Sequence, residues 1–234
     1  MGWSIRNDDD VAYLSYANPP QNRLPFHAVR ELDDALRQVG DDETVKVVAI
    51  RSDIEGYFSA GGDLADIKEL IAGGEPSAPF DSWLSTSLRL EEMPQPTVAL
   101  IDGLAASGGF ELALACTFRL GTARAEFALR EVSAGALPGG GATQRLPRVV
   151  GMPLASEIVL TGRTVGAEEA IKIGLLQALV SDDDGFDEWL HRLTAMPRPS
   201  LIAAKRALVD GARMPLVEGL RLEQRLFREL VRQK

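Results

Sequence analysis

Short apolar segments alternate with longer segments of helical spacing along this chain, and this alternation restricts its fold more than any other feature. Runs rich in apolar or β-branched residues predict strands, and apolar residues three and four apart predict helices between them. The predicted strands are 11–16, 45–51, 97–101, 118–122 and 176–180, and the predicted helices are 25–39, 64–71, 82–93, 110–116, 153–160 and 168–173. The pattern indicates an α/β core, although periodicity alone does not separate a doubly wound sheet from other α/β folds.

Composition and charge restrict the classes of function. Of 234 residues, 45% are hydrophobic and 25% are charged, as in soluble globular proteins, and the length suits one large domain, with or without a small appendage. The formal net charge of −9 argues against nucleic acid or an anionic membrane surface as a partner. Cys116 is the single cysteine, so no internal disulfide is possible. Neither a signal peptide nor a long apolar run is evident, and a cytoplasmic protein is expected.

Several common motifs are excluded by residue type. Acidic clusters at 8–10, 41–43 and 182–184 are interpreted as solvated turns, because no compatible ligands lie near them, and no metal site is predicted. The glycine-rich segment 138–144 lacks the Gly-Lys-Ser/Thr of a P-loop and the spacing of a dinucleotide site. Ser107 is not a nucleophile of the Gly-x-Ser-x-Gly type, since Ala105 stands where glycine is needed. The only histidines, His27 and His191, have no recognisable triad partners.

A carboxylate inside an apolar run is the most informative local feature. Glu111 lies in segment 104–116, directly after the sequence Ser-Gly-Gly-Phe, and residues 110–116 should be helical. The first amides of a helix have no intrahelical partners and sit at the positive end of its dipole, so they stabilise a ligand oxygen that gains negative charge. Gly108 lets the backbone approach such a ligand closely. Glu111 also has a simpler explanation as a favourable charge at a helix start.

Two further segments bear on the same chemistry. Glu131 lies in segment 127–135, ahead of the glycine-rich segment, and in isolation reads as a solvated loop or strand-end residue. The turn at 57–64 contains Ala60-Gly61-Gly62 directly after an apolar run, and it is the best source of a second amide donor. Each glycine cluster alone indicates only a turn. The order and spacing of the three segments together favour a site that binds an oxyanion.

These three segments resemble the crotonase, or enoyl-CoA hydratase/isomerase, family. The resemblance implies an α/β fold built as a spiral of repeated ββα units. It also implies an enzyme that holds an acyl-CoA thioester with its carbonyl oxygen between two backbone N–H groups, which stabilise the enolate-like charge of the reaction. No metal or redox cofactor is then needed, and coenzyme A arrives as part of the substrate.

The resemblance assigns roles to individual positions. The paired oxyanion donors align with Ala60 and Gly108, and the two glutamates of the hydratases align with Glu111 and Glu131. Glu111 would position and activate the water, and Glu131 would deliver the proton to Cα, which requires at least one carboxyl with a raised pKa. The expected substrate and CoA contacts are Arg23, Ala60, Gly61, Gly62, Asp63, Leu64 and Gly108.

The family pattern also implies an assembly. Residues 1–196 would form the spiral core with the active site. Residues 197–234 would form a C-terminal helical region that mediates trimerisation, and helical spacing is evident at 187–196, 199–210 and 215–233. A homotrimer or a dimer of trimers is therefore expected.

Some positions depart from the family pattern. Ser107 replaces the first glycine of a triplet, and Arg130 replaces a proline and would favour the ionised form of Glu131. Arg23 replaces an alanine and would meet a CoA phosphate. Segment 72–82 is either a surface loop or a mobile flap over the acyl chain. Besides hydration, the pattern leaves open a double-bond isomerase that needs only Glu131, a decarboxylase or ring-forming or ring-opening relative, and a catalytically silent scaffold.

Overall fold

The computed structural model describes residues 2–63, 65–66, 68 and 78–232. Its strands are β1 Gly2–Asp8, β2 Val11–Ala17, β3 Val47–Ser52, β4 Gly56–Ser59, β5 Thr97–Ile101, β6 Gly103–Ala106, β7 Phe118–Gly121, β8 Glu126–Ala128, β9 Val165–Gly166 and β10 Ala178–Leu179. Its α-helices are α1 Phe26–Gly40, α2 Ala78–Glu92, α3 Gly108–Ala115, α4 Ala142–Val150, α5 Met152–Thr161, α6 Ala167–Lys172, α7 Asp183–Thr194, α8 Arg198–Gly211 and α9 Leu216–Arg232, and a 3-10 helix spans Val132–Ala134.

Two sheets divide consecutive strands between them. The larger sheet has the order β1-β2-β3-β5-β7-β10, parallel except for the antiparallel pair β1 and β2. The smaller sheet has the order β4-β6-β8-β9, with β4, β6 and β8 parallel. Each pair β3–β4, β5–β6 and β7–β8 therefore puts its first strand in the large sheet and its second in the small one. This repetition confirms the predicted spiral of ββα units.

The core explains why a carboxylate of this chain becomes buried. All five residues of β5 and all eight residues of α3 are buried, so helix α3 has no solvent-facing side. Helix α1 instead buries one stripe, including Leu32 and Leu36, and exposes the other. Any charged side chain on α3 must lie in the interior, and Glu111 is that side chain.

The structure adds elements that the sequence did not predict. Strands β4, β6 and β8 have only three or four residues, too few to display a period of two, and β1 is largely exposed. Helix α4 follows glycines and contains Pro147, and proline is disfavoured inside a helix. The predicted strand 176–180 is shorter, at Ala178–Leu179. Most of predicted helix 64–71 lies outside the described residues.

The last two helices, α8 and α9, pack on each other, and α8 also contacts α2. Lys205 on α8 is buried and donates to the carbonyl oxygens of Leu90, Met93 and Gln95 at 2.8–3.2 Å, which fastens α8 to the end of α2. Large apolar side chains of α9 remain exposed, namely Leu216, Val217, Leu220, Phe227 and Val231. Across the part of the chain that the structure describes, no helix combines the length and apolar character needed to cross a membrane.

Candidate active site

The glycine turn after β4 packs against the segment that precedes α1. Gly61 has a φ of +95°, a conformation that favours glycine. Its carbonyl oxygen accepts a hydrogen bond from the N–H of Leu24 at 2.8 Å, and the N–H of Asp63 donates to the Leu24 carbonyl at 3.3 Å. These bonds fix the turn at the carboxyl end of the small sheet.

Asn22 holds this segment in place from inside the protein. Its side chain is fully buried, and Nδ2 lies within hydrogen-bond distance, 2.8–3.2 Å, of three acceptors: the carbonyl oxygens of Tyr16 and Phe58 and Ser52 Oγ. These partners lie on β2, β3 and β4, so a single amide joins three strands beside the site. Sequence reasoning did not assign a role to Asn22, since its partners are distant along the chain.

Arg23 contacts the turn itself. Its guanidinium Nη1 donates to the carbonyl oxygens of Ala60 at 3.4 Å and Gly62 at 3.2 Å, and Nη2 donates to Gln21 Oε1 at 3.1 Å. The side chain therefore supports the backbone of the turn. A contact between Arg23 and a CoA phosphate stays a prediction.

The turn meets the start of helix α3 at very short range. A Cβ atom on Gly61 would lie 2.8 Å from Ser107 Cβ and 3.0 Å from the backbone nitrogen of Gly108. A Cβ on Gly108 would lie 3.3 Å from the nitrogen of Gly62 and 2.7 Å from Trp83 Cη2. Such distances are too short for ordinary side-chain contacts, so glycine is required where the two backbones approach each other. The amides of Gly62 and Gly108 are thus neighbours.

The prediction that Ala60 supplies an oxyanion donor is wrong for this arrangement. The N–H of Ala60 donates to the carbonyl oxygen of Gln21 at 3.0 Å, and the N–H of Gly61 donates to Ser59 Oγ at 3.1 Å. Among the described residues, the N–H groups of Gly62 and Gly108 have no acceptor. The available donor of the turn therefore lies two residues beyond Ala60, because the backbone at Ala60 is already bonded to the neighbouring segment.

Glu111 lies in the first turn of α3 with its side chain buried. Its Oε1 accepts two backbone hydrogen bonds, from the N–H of Gly140 at 2.8 Å and of Ala142 at 3.0 Å. Burial is the largest influence on this carboxyl and raises its pKa from 4.5 to about 7, with the nearby charge of Glu131 acting in the same direction. The two amides and Arg145 oppose that rise. Glu111 thus changes charge near neutral pH.

Glu131 lies between β8 and the 3-10 helix, partly buried. Burial raises the pKa of its carboxyl, while the nearby Ser107 side chain acts against the rise. Within the described part of the chain, Oε2 is buried and has no hydrogen-bond partner. Arg130 is exposed, and only its backbone hydrogen bond acts on Glu131, so the predicted effect of its guanidinium is not seen. This carboxyl oxygen therefore has unused hydrogen-bonding capacity.

The structure thus brings together most of the predicted site. Gly61, Gly62 and Gly108 lie in contact, Ser107 lowers the pKa of Glu131, and the charge of Glu131 raises the pKa of Glu111. Asp63 Oδ1 accepts from the N–H of Ala65 at 2.7 Å. Leu64 and residues 72–77 of the predicted loop or flap lie outside the described residues, and α2 begins at Ala78 within the predicted segment 72–82.

Potential metal ligands do not cluster in the described ranges. No group of three or more His, Cys, Asp or Glu side chains there is arranged to hold a metal ion. Catalysis without a metal or redox cofactor stays a prediction, and the site offers backbone N–H groups and carboxyl groups as its chemical resources.

Known proteins resemble the chain over nearly its whole length. Residues 6–234 match the model of the family described as enoyl-CoA hydratase/isomerase. The mouse mitochondrial methylglutaconyl-CoA hydratase is 32% identical over 222 residues, which are 92% of this chain and 70% of that protein. The mouse mitochondrial enoyl-CoA hydratase domain-containing protein 2 is 34% identical over 214 residues, 88% of this chain and 72% of that protein.

Solved structures match the fold equally well. The Bacillus anthracis enoyl-CoA hydratase superposes with a TM-score of 0.92 at 29% identity, covering 99% of this chain and 92% of its own. A Thermobifida fusca YX structure in complex with acetoacetyl-CoA superposes with a TM-score of 0.88 at 26% identity, covering 100% of this chain and 96% of its own. The relatives therefore share the whole arrangement of the two sheets and their helices.

Proposed function

This chain belongs to the enoyl-CoA hydratase/isomerase family, and from that premise we propose that it is an enzyme that hydrates a 2-enoyl-CoA thioester. In this reaction the oxygen of water bonds to C3 and a proton adds to Cα, which converts the conjugated double bond into a 3-hydroxyacyl thioester. The observation that carries the proposal is the pair of carboxyl groups, buried Glu111 and partly buried Glu131, near two neighbouring backbone amides.

The amides of Gly62 and Gly108 are the proposed oxyanion donors. When the nucleophile adds at C3, negative charge develops on the thioester oxygen, and two fixed N–H groups stabilise that charge without reorganising. The positive end of helix α3 adds to the effect at Gly108. Loss of one such donor costs roughly 10²–10³ in turnover in other enzymes.

Glu111 is the proposed group that positions and activates the water. Because Gly140 and Ala142 bind Oε1, the carboxyl is held in one orientation while Oε2 can accept a proton from water. A pKa of about 7 makes the carboxylate a base near neutral pH, and its ionised fraction falls below that pH.

Glu131 is the proposed donor of the proton to Cα. Burial raises its pKa, which favours the protonated form needed by an acid, and its unpartnered Oε2 is free to face a substrate. An isomerase would need Glu131 alone, and a decarboxylase or ring-forming relative would use the same amide pair. Neither explains why Oε1 of Glu111 is anchored by two amides, so hydration is favoured.

The substrate carrier in this proposal is coenzyme A. The Thermobifida fusca relative binds acetoacetyl-CoA, and this chain shares its fold over the full length. No separate cofactor is required, since the amides and two carboxyl groups supply the charge stabilisation and the proton transfers. Gly61, Asp63, Leu64 and Arg23 remain proposed substrate contacts through the turn.

A homotrimer or a dimer of trimers is the proposed assembly, with residues 197–234 at the interface and residues 1–196 as the catalytic core. Exposed apolar side chains of α9, such as Leu216 and Phe227, support this proposal because a free monomer would leave them in water. Light scattering of the purified protein should give three or six times the mass of one chain.

The reaction is tested by incubating the protein with 2-enoyl-CoA in ¹⁸O-labelled water. We expect the conjugated thioester absorbance to fall and ¹⁸O to appear at C3 of the product. Appearance of the conjugated absorbance from 3-enoyl-CoA, without hydration, would instead support an isomerase. Absence of turnover across a panel of straight and branched thioesters would support a scaffold.

A further inference from the structure

The carboxyl group of Glu111 is held by the backbone of a glycine-rich loop, and contacts from outside the loop support its conformation. The two amides that bind Glu111 Oε1 belong to Gly140 and Ala142, on either side of Gly141. Gly141 has a φ of +112°, so the chain reverses there in a conformation that favours glycine. A Cβ atom on Gly140 would lie 2.6 Å from Glu111 Oε2, so the loop and the carboxyl group are in direct contact.

The guanidinium of Arg145 lies beneath this loop. A Cβ on Gly141 would be 2.0 Å from Arg145 Nη1, so the guanidinium occupies the space that a side chain would need there. Nη1 also donates to the carbonyl oxygen of Gly140 at 2.9 Å. Gly140 therefore has two partners: its N–H binds Glu111 and its carbonyl oxygen binds Arg145. Through this carbonyl, Arg145 holds the orientation of the loop.

Helix α2 also binds the guanidinium of Arg145. Arg145 Nε pairs with the carboxylate of Glu91, and Arg145 Nη2 donates to Ser87 Oγ at 3.2 Å; both partners lie on α2. The arginine side chain is only 14% exposed, so these bonds are shielded from water and the guanidinium has little freedom. The second oxygen of Glu91 pairs with Arg213, which lies between α8 and α9. A chain of contacts thus runs from the C-terminal helices to the loop.

We propose that Arg145 is a positioning residue for Glu111, holding the loop so that both amides bind one carboxyl oxygen and supplying positive charge near the carboxylate. The charged groups that act on Glu111 are Arg145 from α4 and Glu131 from the loop after β8, and they act in opposite directions. Removing Arg145 leaves the repulsion from Glu131 uncompensated and loosens the amide bonds. Both effects favour the protonated carboxyl. The catalytic consequence rests on the proposed function, but the effect on Glu111 does not.

The test compares Arg145→Gln with Arg145→Lys and with Arg148→Gln as a matched control. Arg148 lies on the same helix and is exposed, and among the residues that the structure describes it bonds only the carbonyl of Gln144. Protonation of Glu111 is followed by infrared spectroscopy as the carboxyl band that disappears in Glu111→Gln. We expect the Arg145→Gln titration to move upward by roughly one pH unit, the usual effect of losing one nearby opposite charge. Arg148→Gln should titrate like the wild type.

Turnover gives a second readout. In Arg145→Gln, kcat for hydration should fall on the order of 10- to 100-fold from misplacement of the loop, and the acidic limb of the pH profile should move upward with the infrared titration. Arg145→Lys keeps the charge and loses the fork of donors, so its titration should return toward the wild type while kcat stays reduced. If Arg145→Gln does not fold, the lysine variant still tests the separation of charge from geometry.

The inference is overturned if Arg145→Gln loses thermal stability while its Glu111 titration and its pH profile match those of the wild type. The same result in both Arg145→Gln and Arg145→Lys would also overturn it. A shifted infrared titration in a protein that hydrates no enoyl-CoA would instead support the positioning role and refute the proposed function. The two failures are therefore distinguishable.

Discussion

Replacing Glu111 by glutamine should stabilise the folded protein at alkaline pH. Burial raises the pKa of this carboxyl from 4.5 to about 7, so the folded state binds the proton more tightly than the unfolded chain does. The resulting stability is fully present below pH 4.5 and is lost as the pH rises through 7. At about 1.4 kcal/mol per pKa unit, the difference corresponds to roughly 3 kcal/mol. Glutamine keeps an oxygen for the amides of Gly140 and Ala142 but carries no charge.

Urea unfolding of wild type and Glu111→Gln at pH 5 and pH 8, at one fixed protein concentration, measures this effect. The free energy of unfolding of the variant minus that of the wild type should increase by roughly 2–3 kcal/mol between the two pH values. Glu188→Gln is the control, because Glu188 is exposed and its replacement should give no such change. Parallel pH dependences of Glu111→Gln and wild type would refute the burial of a titrating carboxyl at this position.

Three further outcomes follow from the site. Glu131→Gln should lower turnover of 2-enoyl-CoA by about 10²–10⁴-fold, the usual contribution of one acid–base group, and a rate equal to that of Glu188→Gln would remove Glu131 from the mechanism. Gly61→Ala should destabilise the protein by more than Gly56→Ala, since both have positive φ but only Gly61 has atoms within 4 Å of a new Cβ; equal urea midpoints would contradict the close approach. Trp83→Ala should raise kcat/KM for a branched enoyl-CoA relative to an unbranched one by about tenfold, because the ring lies against Gly108. An unchanged ratio from competition assays would show that the ring does not limit the acyl group.

The sequence predicted the parts of the fold that rest on long or fully apolar segments. Strand β5 spans 97–101 as predicted, and α3 forms with Glu111 in its first turn. These segments carry enough consecutive residues to display a period or an unbroken apolar run. Strands β4 and β6 have four residues each and exist through pairing with one another, which is a tertiary contact that no local pattern encodes.

The candidate site shows the same division. Residue order and the family resemblance predicted which glutamates and glycines to look for, and the structure places them near one another. The choice between Ala60 and Gly62 as the proposed donor depends instead on a hydrogen bond to Gln21, far away along the chain. The contacts of Asn22 and Arg145 could likewise not be predicted from the sequence, because their partners lie on other strands and helices. A side chain that acts through groups distant along the chain produces no regular spacing of residues in the sequence.

A crystal structure of this protein with acetoacetyl-CoA bound tests the central claim most directly. The account predicts that the thioester oxygen lies within about 3 Å of the backbone nitrogens of both Gly62 and Gly108, with the carboxyl groups of Glu111 and Glu131 beside the adjoining carbons. A thioester oxygen bound elsewhere, or an Ala60 N–H that has left the Gln21 carbonyl to bind it, would contradict the account.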